Sequence, residues 1–431
     1  MNLLIKNVHL IDPLTEKDGI TDILIINGVI TKIANTIAMD DVSLNSVADI
    51  KTIDAKDCYA FPGLTDIHCH FRDPGWPEKE TIESGCEAAL AGGVTTVVCM
   101  ANTNPVADNP DTLKYIFDKA KGSHVQLLQN SAMTIGLAGK ELVDCDEMLK
   151  AGACGFSDDG IPIEDVNVMI NALKETKRLD AVLSLHEELP SLRFSAGVNF
   201  GKISKELDVL GAPNLSESAL IERDIMLQKI YGGKLHFQHV STAEAAELIR
   251  DAKKNGQTVT AEVTPQHLYL TEDELLNVGS NAKLNPPLRT QKDVDALIEG
   301  IKDGTFDCIA TDHAPHTKAE KELGIAKAPS GLIGLETSLS LCYVNLVKNH
   351  GLTMNKLIEL MSINPAAMYG IRKSIEVGAK ADLTIFDPNK KWLVEEATLK
   401  SKSSNSPFIG KEMIGKVIYT ICDDSIMDYT E

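Results

Sequence analysis

The sequence predicts an α/β fold: a closed (β/α)8 TIM-like barrel with a small composite β domain formed by both chain termini. Three observations carry this. From residue 62 onward, short apolar runs alternate with amphipathic helical stretches, and eight such runs can be counted. Histidine, aspartate and asparagine recur at the C-terminal ends of those runs, where barrels of this type place their active sites. The segments before and after are β-rich and lack the alternation. An open doubly wound sheet is the alternative, but it rarely needs eight regular units.

Residues 1–61 read as short strands. Leu3-Leu-Ile5, Asp22-Ile-Leu-Ile-Ile26 and Val29-Ile-Thr-Lys-Ile33 are separated by turn residues, and Asn27-Gly28 between two of them is a hairpin signal. The barrel strands are expected at 64–71, 94–100, 125–131, 153–157, 181–187, 234–240, 258–264 and 306–311. Helices are expected at 80–91, 111–121, 165–178, 217–231, 242–255 and 291–302. Ser241-Thr-Ala-Glu244 resembles a capping box, and Gly256 follows the helix it would open. The spacing is uneven between 188 and 234, so a long loop or an extra helix is expected there. Two further helices, at about 334–350 and 355–362, lead to Asn364-Pro365. Val377–Asp387 and Lys416–Cys422 then read as strands. The division is therefore 1–61 with 372–431 as a composite β-sandwich domain, and 62–371 as the barrel. The polar run Lys400-Ser-Lys-Ser-Ser-Asn405 reads as loop.

Bulk properties bound the function. The chain has 431 residues, with 43% hydrophobic and 24% charged content, as in an ordinary globular protein. A formal net charge of −20 argues against nucleic acid or an anionic membrane as a partner. An anionic substrate then needs local cations. Nine cysteines occur without CxxC pairs, which fits a reduced, cytoplasmic setting with thiols acting as small core residues. The first residues lack the pattern of a signal peptide, and no run of 18 apolar residues is present. A homodimer is compatible with the composition but not specified by it.

The chemistry centres on Gly63-Leu-Thr-Asp-Ile-His-Cys-His-Phe-Arg-Asp-Pro-Gly75. On a strand, His68 and His70 point to one face and can share a metal, with Arg72 one pleat beyond. Two core histidines satisfied by hydrogen bonds are the bland alternative. The distant partners weigh against it: Asn102, Asp158 and Asp159, His186, His239 and Asp312 all fall at strand ends. Nitrogen and oxygen donors suit Zn²⁺ or a similar divalent ion. Six ligands exceed one tetrahedral zinc and match two ions bridged by a carboxylate. Asp312, with His313 and His316 in Thr311-Asp-His-Ala-Pro-His316, is poorly explained by packing.

These motifs, with Met100-Ala-Asn-Thr103, Phe156-Ser-Asp-Asp-Gly160, Gln238-His-Val-Ser-Thr242 and Leu284-Asn-Pro-Pro-Leu-Arg289, resemble the amidohydrolase superfamily. Within it they are similar to the dihydroorotase family, in the bacterial class with a bridging Asp, over nearly the whole chain. That resemblance implies two Zn²⁺ per subunit: His68, His70 and Asp312 on one, His186 and His239 on the other, Asp159 between them. Related dihydropyrimidinases and hydantoinases bridge with a carboxylated Lys, and 153–160 contains no Lys. The resemblance also implies Arg72, Asn102 and His316 on the substrate carboxylate, and Asn285 with the backbone around Ser330 and Gly331 on the ring. The implied reaction is reversible cyclisation of N-carbamoyl-L-aspartate to L-dihydroorotate plus water in de novo pyrimidine (UMP) biosynthesis. It would use a metal-bridging hydroxide, with Asp312 as the catalytic base and then acid. Two other readings stay open. One is another cyclic amide hydrolase, dihydropyrimidinase- or allantoinase-like. The other is a non-catalytic scaffold for aspartate transcarbamoylase, which should have lost ligands that this chain retains. The polar segment 316–331 is expected to border the site, either as a lid or as a solvated loop.

Overall fold

The computed structural model describes residues 1–38, 50–194 and 197–430. Five strands come first: β1 (Leu3–Asp12), β2 (Lys17–Ile26), β3 (Val29–Ala34), β4 (Lys51–Asp54) and β5 (Tyr59–Pro62). The barrel strands are β6 (Leu64–Cys69), β7 (Val94–Cys99), β8 (Gln126–Gln129), β9 (Val182–Leu185), β10 (Lys234–Phe237), β11 (Val259–Val263) and β12 (Cys308–Ile309). The chain closes with β13 (Leu383–Leu393), β14 (Glu412–Cys422) and β15 (Ser425–Asp428).

The terminal strands form one eight-stranded sheet in the order β15-β14-β13-β5-β1-β2-β3, with β4 also on β1. The junction between the two chain ends is the antiparallel pair β5–β13, with Ala60 opposite Ile385. The β2–β3 hairpin turns at Asn27 and Gly28, whose φ values are 50° and 71°. That is the left-handed pair a two-residue hairpin needs.

The barrel is built from two parallel sheets, β6-β7-β8 and β9-β10-β11-β12. The expected strand at 153–157 is the weak stave. Its β-bridges run through Phe156, to Ser131 on one side and Leu183 on the other, and Cys154 N donates to Gln129 O and Ser131 N to Gly155 O, each at 3.0 Å. Phe156 N donates to Val182 O at 3.0 Å and Ser184 N to Phe156 O at 2.9 Å. The adjacent Gly155 lets the neighbouring chains approach closely: a side chain there would meet Val182 O at 3.0 Å and Asn130 Oδ1 at 2.9 Å. Closure comes from the parallel bridge Cys69–His313, with His70 N donating to His313 O at 2.8 Å. Eight staves thus complete the ring.

The helices Ile82–Ala91, Pro110–Ala120, Val166–Leu179, Leu215–Tyr231, Ala243–Lys254 and Gln291–Asp303 surround it. Among the described residues, no helix is long and apolar enough to cross a membrane. The capping box expected at Ser241 is not formed. Thr242 is the N-cap and accepts from Ala245 N, while Ser241 is drawn off by the buried Glu217. That carboxylate also accepts from Thr242 N and from Ser241 N, the donor that the Glu244 side chain would have taken in the box. Beneath the polar mouth, Ile67, Val98, Cys308 and Ala310 fill the barrel interior. All nine cysteines are unpaired thiols, eight of them buried.

Candidate active site

All six residues of β6 are buried, so the strand carries His68 into the interior and His70 to its rim. The strand ends that follow supply the rest by leaving regular geometry. Arg72, His239 and Asp312 have φ of 59°, 31° and 49°. This left-handed backbone is costly for non-glycine residues, and such strain concentrates at functional sites. Here it turns three side chains from the strand direction into the barrel mouth.

The donor atoms converge. His70 Nε2 lies 3.0 Å from Asp312 Oδ1 and 3.4 Å from Asp159 Oδ2. Asp159 Oδ1 lies 3.5 Å from His68 Nε2, 3.7 Å from His239 Nε2 and 3.8 Å from His186 Nδ1. The two oxygens of Asp159 thus face different histidines. His68, His70 and Asp312 form one compact ligand trio, and His68, Asp159 and His239 another. His186 Nδ1 and His239 Nε2 face each other at 2.9 Å. Asp158 points away: its carboxylate accepts from Met133 N at 2.7 Å and Thr134 N at 3.0 Å, and also holds the Thr134 hydroxyl. Burial pushes Asp158 up to about 6 against those hydrogen bonds.

The arrangement fits a divalent cation. His68 Nε2 and Asp159 Oδ1 are fully buried with no hydrogen-bond partner among the described residues. Such orphans are costly unless something accepts their lone pairs. Burial would raise Asp159, but His68 and His239 outweigh it and hold the carboxyl well below its usual range. Burial would likewise lower His68, yet Glu262 and Asp159 keep it well above the ordinary imidazole value. The acids therefore demand positive charge at this point. A bound cation answers that demand and leaves the imidazoles neutral, as ligands must be.

Glu262, absent from the expected set, supports the ligands from below. Its Oε1 lies 2.5 Å from His68 Nδ1 and accepts from His239 N at 3.1 Å, and its Oε2 lies 3.1 Å from His236 Nε2. A signal for it exists in the sequence: Val259-Thr-Ala-Glu-Val263 sets an acid in a strand otherwise fit for burial on both faces, and a buried carboxylate requires partners.

The mouth opens into a cavity of about 300 Å³ lined by His70, Arg72, Asn102, Asp159, His186, His239, Asn285, Asp312, His316, Ser330 and Gly331. Asn102 spans two ligands, with its Oδ1 2.8 Å from His70 Nδ1 and its Nδ2 donating to Asp159 Oδ2 at 3.0 Å. Arg72 is half-buried, with Nε donating to Pro315 O at 3.3 Å and Nη2 3.4 Å from His316 Nε2. His316 Nε2 donates to Ser330 O at 2.9 Å. Burial, with Arg72 and Lys79 alongside, lowers His316 strongly, so its ring is neutral. Asn285 carries a buried amide oxygen without a partner among the described residues. Gly331 has φ of 131°, and a side chain there would meet Ala314 Cβ at 2.8 Å, so only glycine lets the two loops close. Its amide is already spent on Lys283 O at 2.9 Å. His313 turns out of the cavity: Nδ1 accepts from Gly334 N, and Nε2 lies 3.3 Å from Glu80. Arg193, from the irregular stretch after β9, also lines the mouth and was not expected.

This combination of barrel and ligand cluster can be placed among known proteins. The model of the amidohydrolase family matches residues 59–427. The chain belongs to the amidohydrolase family. A dihydroorotase of Clostridium acetobutylicum is 49% identical over 426 residues, covering 99% of each chain. One of Clostridioides difficile is 48% identical and one of Lactococcus lactis 46%, each with 99% coverage of both chains. Among solved structures, the L-hydantoinase (dihydropyrimidinase) of Arthrobacter aurescens aligns with a TM-score of 0.86 at 27% identity, covering 99% of this chain and 96% of that one. The amidohydrolase family is metal-dependent, and the ligand trios described above are where this amidohydrolase has donors to hold an ion.

Proposed function

We infer that this amidohydrolase catalyses the dihydroorotase reaction, the reversible cyclisation of N-carbamoyl-L-aspartate to L-dihydroorotate plus water in pyrimidine biosynthesis. The observation that carries it is identity of 46–49% along the full length to relatives named dihydroorotase. The hydantoinase reading rests on a structural likeness at 27% identity. It is disfavoured because 153–160 offers Asp159 and no lysine to carboxylate.

Zinc is the proposed metal, with two ions per chain. His68, His70 and Asp312 would hold one and His186 with His239 the other, and Asp159 would serve both. Ions held there supply Lewis acidity toward an amide carbonyl and make water acidic enough to attack at neutral pH. The remaining work falls to side chains. Arg72 grips the exocyclic carboxylate, which a planar guanidinium can do bidentately. It also supplies local positive charge in a protein of net charge −20. His316 stays neutral and serves as a hydrogen-bonding group beside Arg72. Asn102 is assigned to the same carboxylate, and reaching it means redirecting the amide that spans His70 and Asp159. Asn285 and the Ser330–Gly331 turn hold the ring. In the metal-free chain His70 and His68 outweigh burial and lower Asp312, and an ion held there would supply that positive charge in their place. In hydrolysis Asp312 takes a proton from the attacking water and returns it to the ring nitrogen as the amide breaks. Ring closure is the reverse.

The test is turnover by the purified, zinc-supplemented chain, with metal content measured on the same sample. L-dihydroorotate should be hydrolysed at least ~100-fold more efficiently than 5,6-dihydrouracil, which lacks the carboxylate that Arg72 reads. A preference for 5,6-dihydrouracil or hydantoin would replace this reading with the hydantoinase one.

A further inference from the structure

The polar run Lys400-Ser-Lys-Ser-Ser-Asn405 reads as loop, yet Ser401, Ser403 and Asn405 are buried. It arrives from the C-terminal part of the chain and runs against the loops that follow β6 and β12. Its first anchor is the half-buried carboxylate of Glu336, which accepts from Lys400 N at 2.9 Å and Ser401 N at 3.0 Å. Glu80 then accepts from Lys402 N at 3.0 Å and holds the Ser401 hydroxyl. Ser403 Oγ donates to Lys79 O at 2.6 Å.

The last anchor is of a different kind. Asn405 Oδ1 accepts from His316 N at 3.0 Å, and Nδ2 donates to both Ala314 O and Gly331 O at 3.1 Å. Its own carbonyl accepts from Ile333 N at 3.1 Å. One amide side chain thus spends its acceptor and both donor hydrogens on two loops at once. Those loops, 313–316 and 330–333, carry His316, Ser330 and Gly331 of the cavity wall. Direct pairing between them comes from the His313–Leu332 bridge, the Ala314 N to Leu332 O bond of 2.8 Å and the His316 Nε2 to Ser330 O bond of 2.9 Å, and Asn405 adds three more bonds from outside both loops. Asp has no donor for the two carbonyls, Ser is too short to reach all three partners, and Gln adds a methylene in a packed site.

We propose that Asn405 is a positioning residue for substrate: it clamps the 313–316 loop to the 330–333 loop and so sets the Arg72–His316 wall that meets the substrate's anionic group. The nature of that group rests on the dihydroorotase reading, whereas the clamp itself does not. Asn405 touches neither the ligand trios nor the cavity, so loss of the clamp should misplace the wall and spare the metal.

The experiment compares Asn405→Ala, Asn405→Ser and Asn405→Asp with Ser403→Ala, which cuts an anchor of the same run that bonds the Lys79 backbone and neither of the two loops. Zinc content, kcat and KM for L-dihydroorotate, and amide hydrogen exchange of the two loops are measured on each holoenzyme. The Asn405 variants should raise KM about tenfold or more with kcat and zinc within about threefold. Exchange should quicken at 314–316 and 331–333. Ser403→Ala should leave KM and this exchange unchanged. Unchanged KM and exchange in Asn405→Ala would overturn the proposal. So would failure of all three Asn405 variants to give folded, zinc-loaded protein, because the residue would then serve stability alone. If the wild-type chain does not turn over dihydroorotate while Asn405→Ala still loosens both loops, the reaction assignment fails and the clamp stands.

Discussion

The carboxylate of Glu262 sits 2.5 Å from Nδ1 of His68 at the floor of the barrel mouth. This contact fixes which ring nitrogen of His68 carries hydrogen, so Nε2 presents its lone pair upward toward Asp159 and Asp312. The other oxygen of Glu262 reaches His236, so one acid fixes two buried rings. Glu262→Gln preserves shape but weakens the polarisation of His68. Loss of such a supporting carboxylate costs about 10–100-fold in metal affinity. Competition against a chelator should show a drop of that size with little change in thermal stability of the zinc-loaded protein. Wild-type affinity in this variant would remove the role given to Glu262.

Asp312 combines two tasks, ligand and proton carrier, and a single substitution should separate them. Asn keeps an oxygen toward His70 but cannot take a proton. Asp312→Asn is expected to retain most of the metal and lose at least ~10³-fold in kcat, in the upper range for a general acid–base group. Metal analysis alongside single-turnover kinetics checks both halves. Residual kcat within tenfold of wild type would assign proton transfer to another group.

Arg72→Lys tests the carboxylate assignment. Lysine keeps the charge and loses the planar fork, so KM for L-dihydroorotate should rise by about tenfold or more while kcat falls less. Wild-type kinetics in this variant would mean that the substrate anion binds elsewhere in the cavity, with Arg193 as the next cation on its wall.

Much of this is legible in the sequence because its periodicity is a direct image of the fold. His68 and His70 at spacing two can only share a strand face, and six of the barrel helices follow their apolar spacing to within two residues at each end. What stays hidden depends on tertiary partners. The stave at Phe156 is short, and Gly155 beside it sits against the chain at Val182, a contact no local pattern encodes. Ser241 fails as a cap because Glu217 takes its donors from another helix. Asn405 looks like loop because polar composition does not distinguish solvent from buried carbonyls. Glu262 is the intermediate case: an acid in an apolar strand announces that a partner exists without naming His68.

The neighbours Asp158 and Asp159 supply the sharpest contrast. Asp159 faces the histidines, and Asp158 faces the backbone of Met133 and Thr134. Asp159→Asn removes the negative charge that faces His68, His70 and His239, so metal content should fall with activity. Asp158→Asn can still accept from both backbone amides and should keep its metal. The pH dependence follows from burial. Asp158 is 1% exposed and pushed from 3.8 to about 6. Below 3.8 it is protonated in folded and unfolded chains alike and costs nothing. Between 3.8 and 6 the folded state binds the proton more tightly, so stability contributed by this group falls as pH rises, and above 6 the full cost is present. That cost is on the order of 2–3 kcal/mol. Asparagine carries no such cost. The thermal midpoint of Asp158→Asn, measured against wild type in the same buffers, should therefore gain from pH 4 to about pH 6 and level off above it. A midpoint difference that stays flat or shrinks over that range would mean that the hydrogen bonds from Met133 N, Thr134 N and the Thr134 hydroxyl outweigh burial and hold the Asp158 carboxylate as an anion.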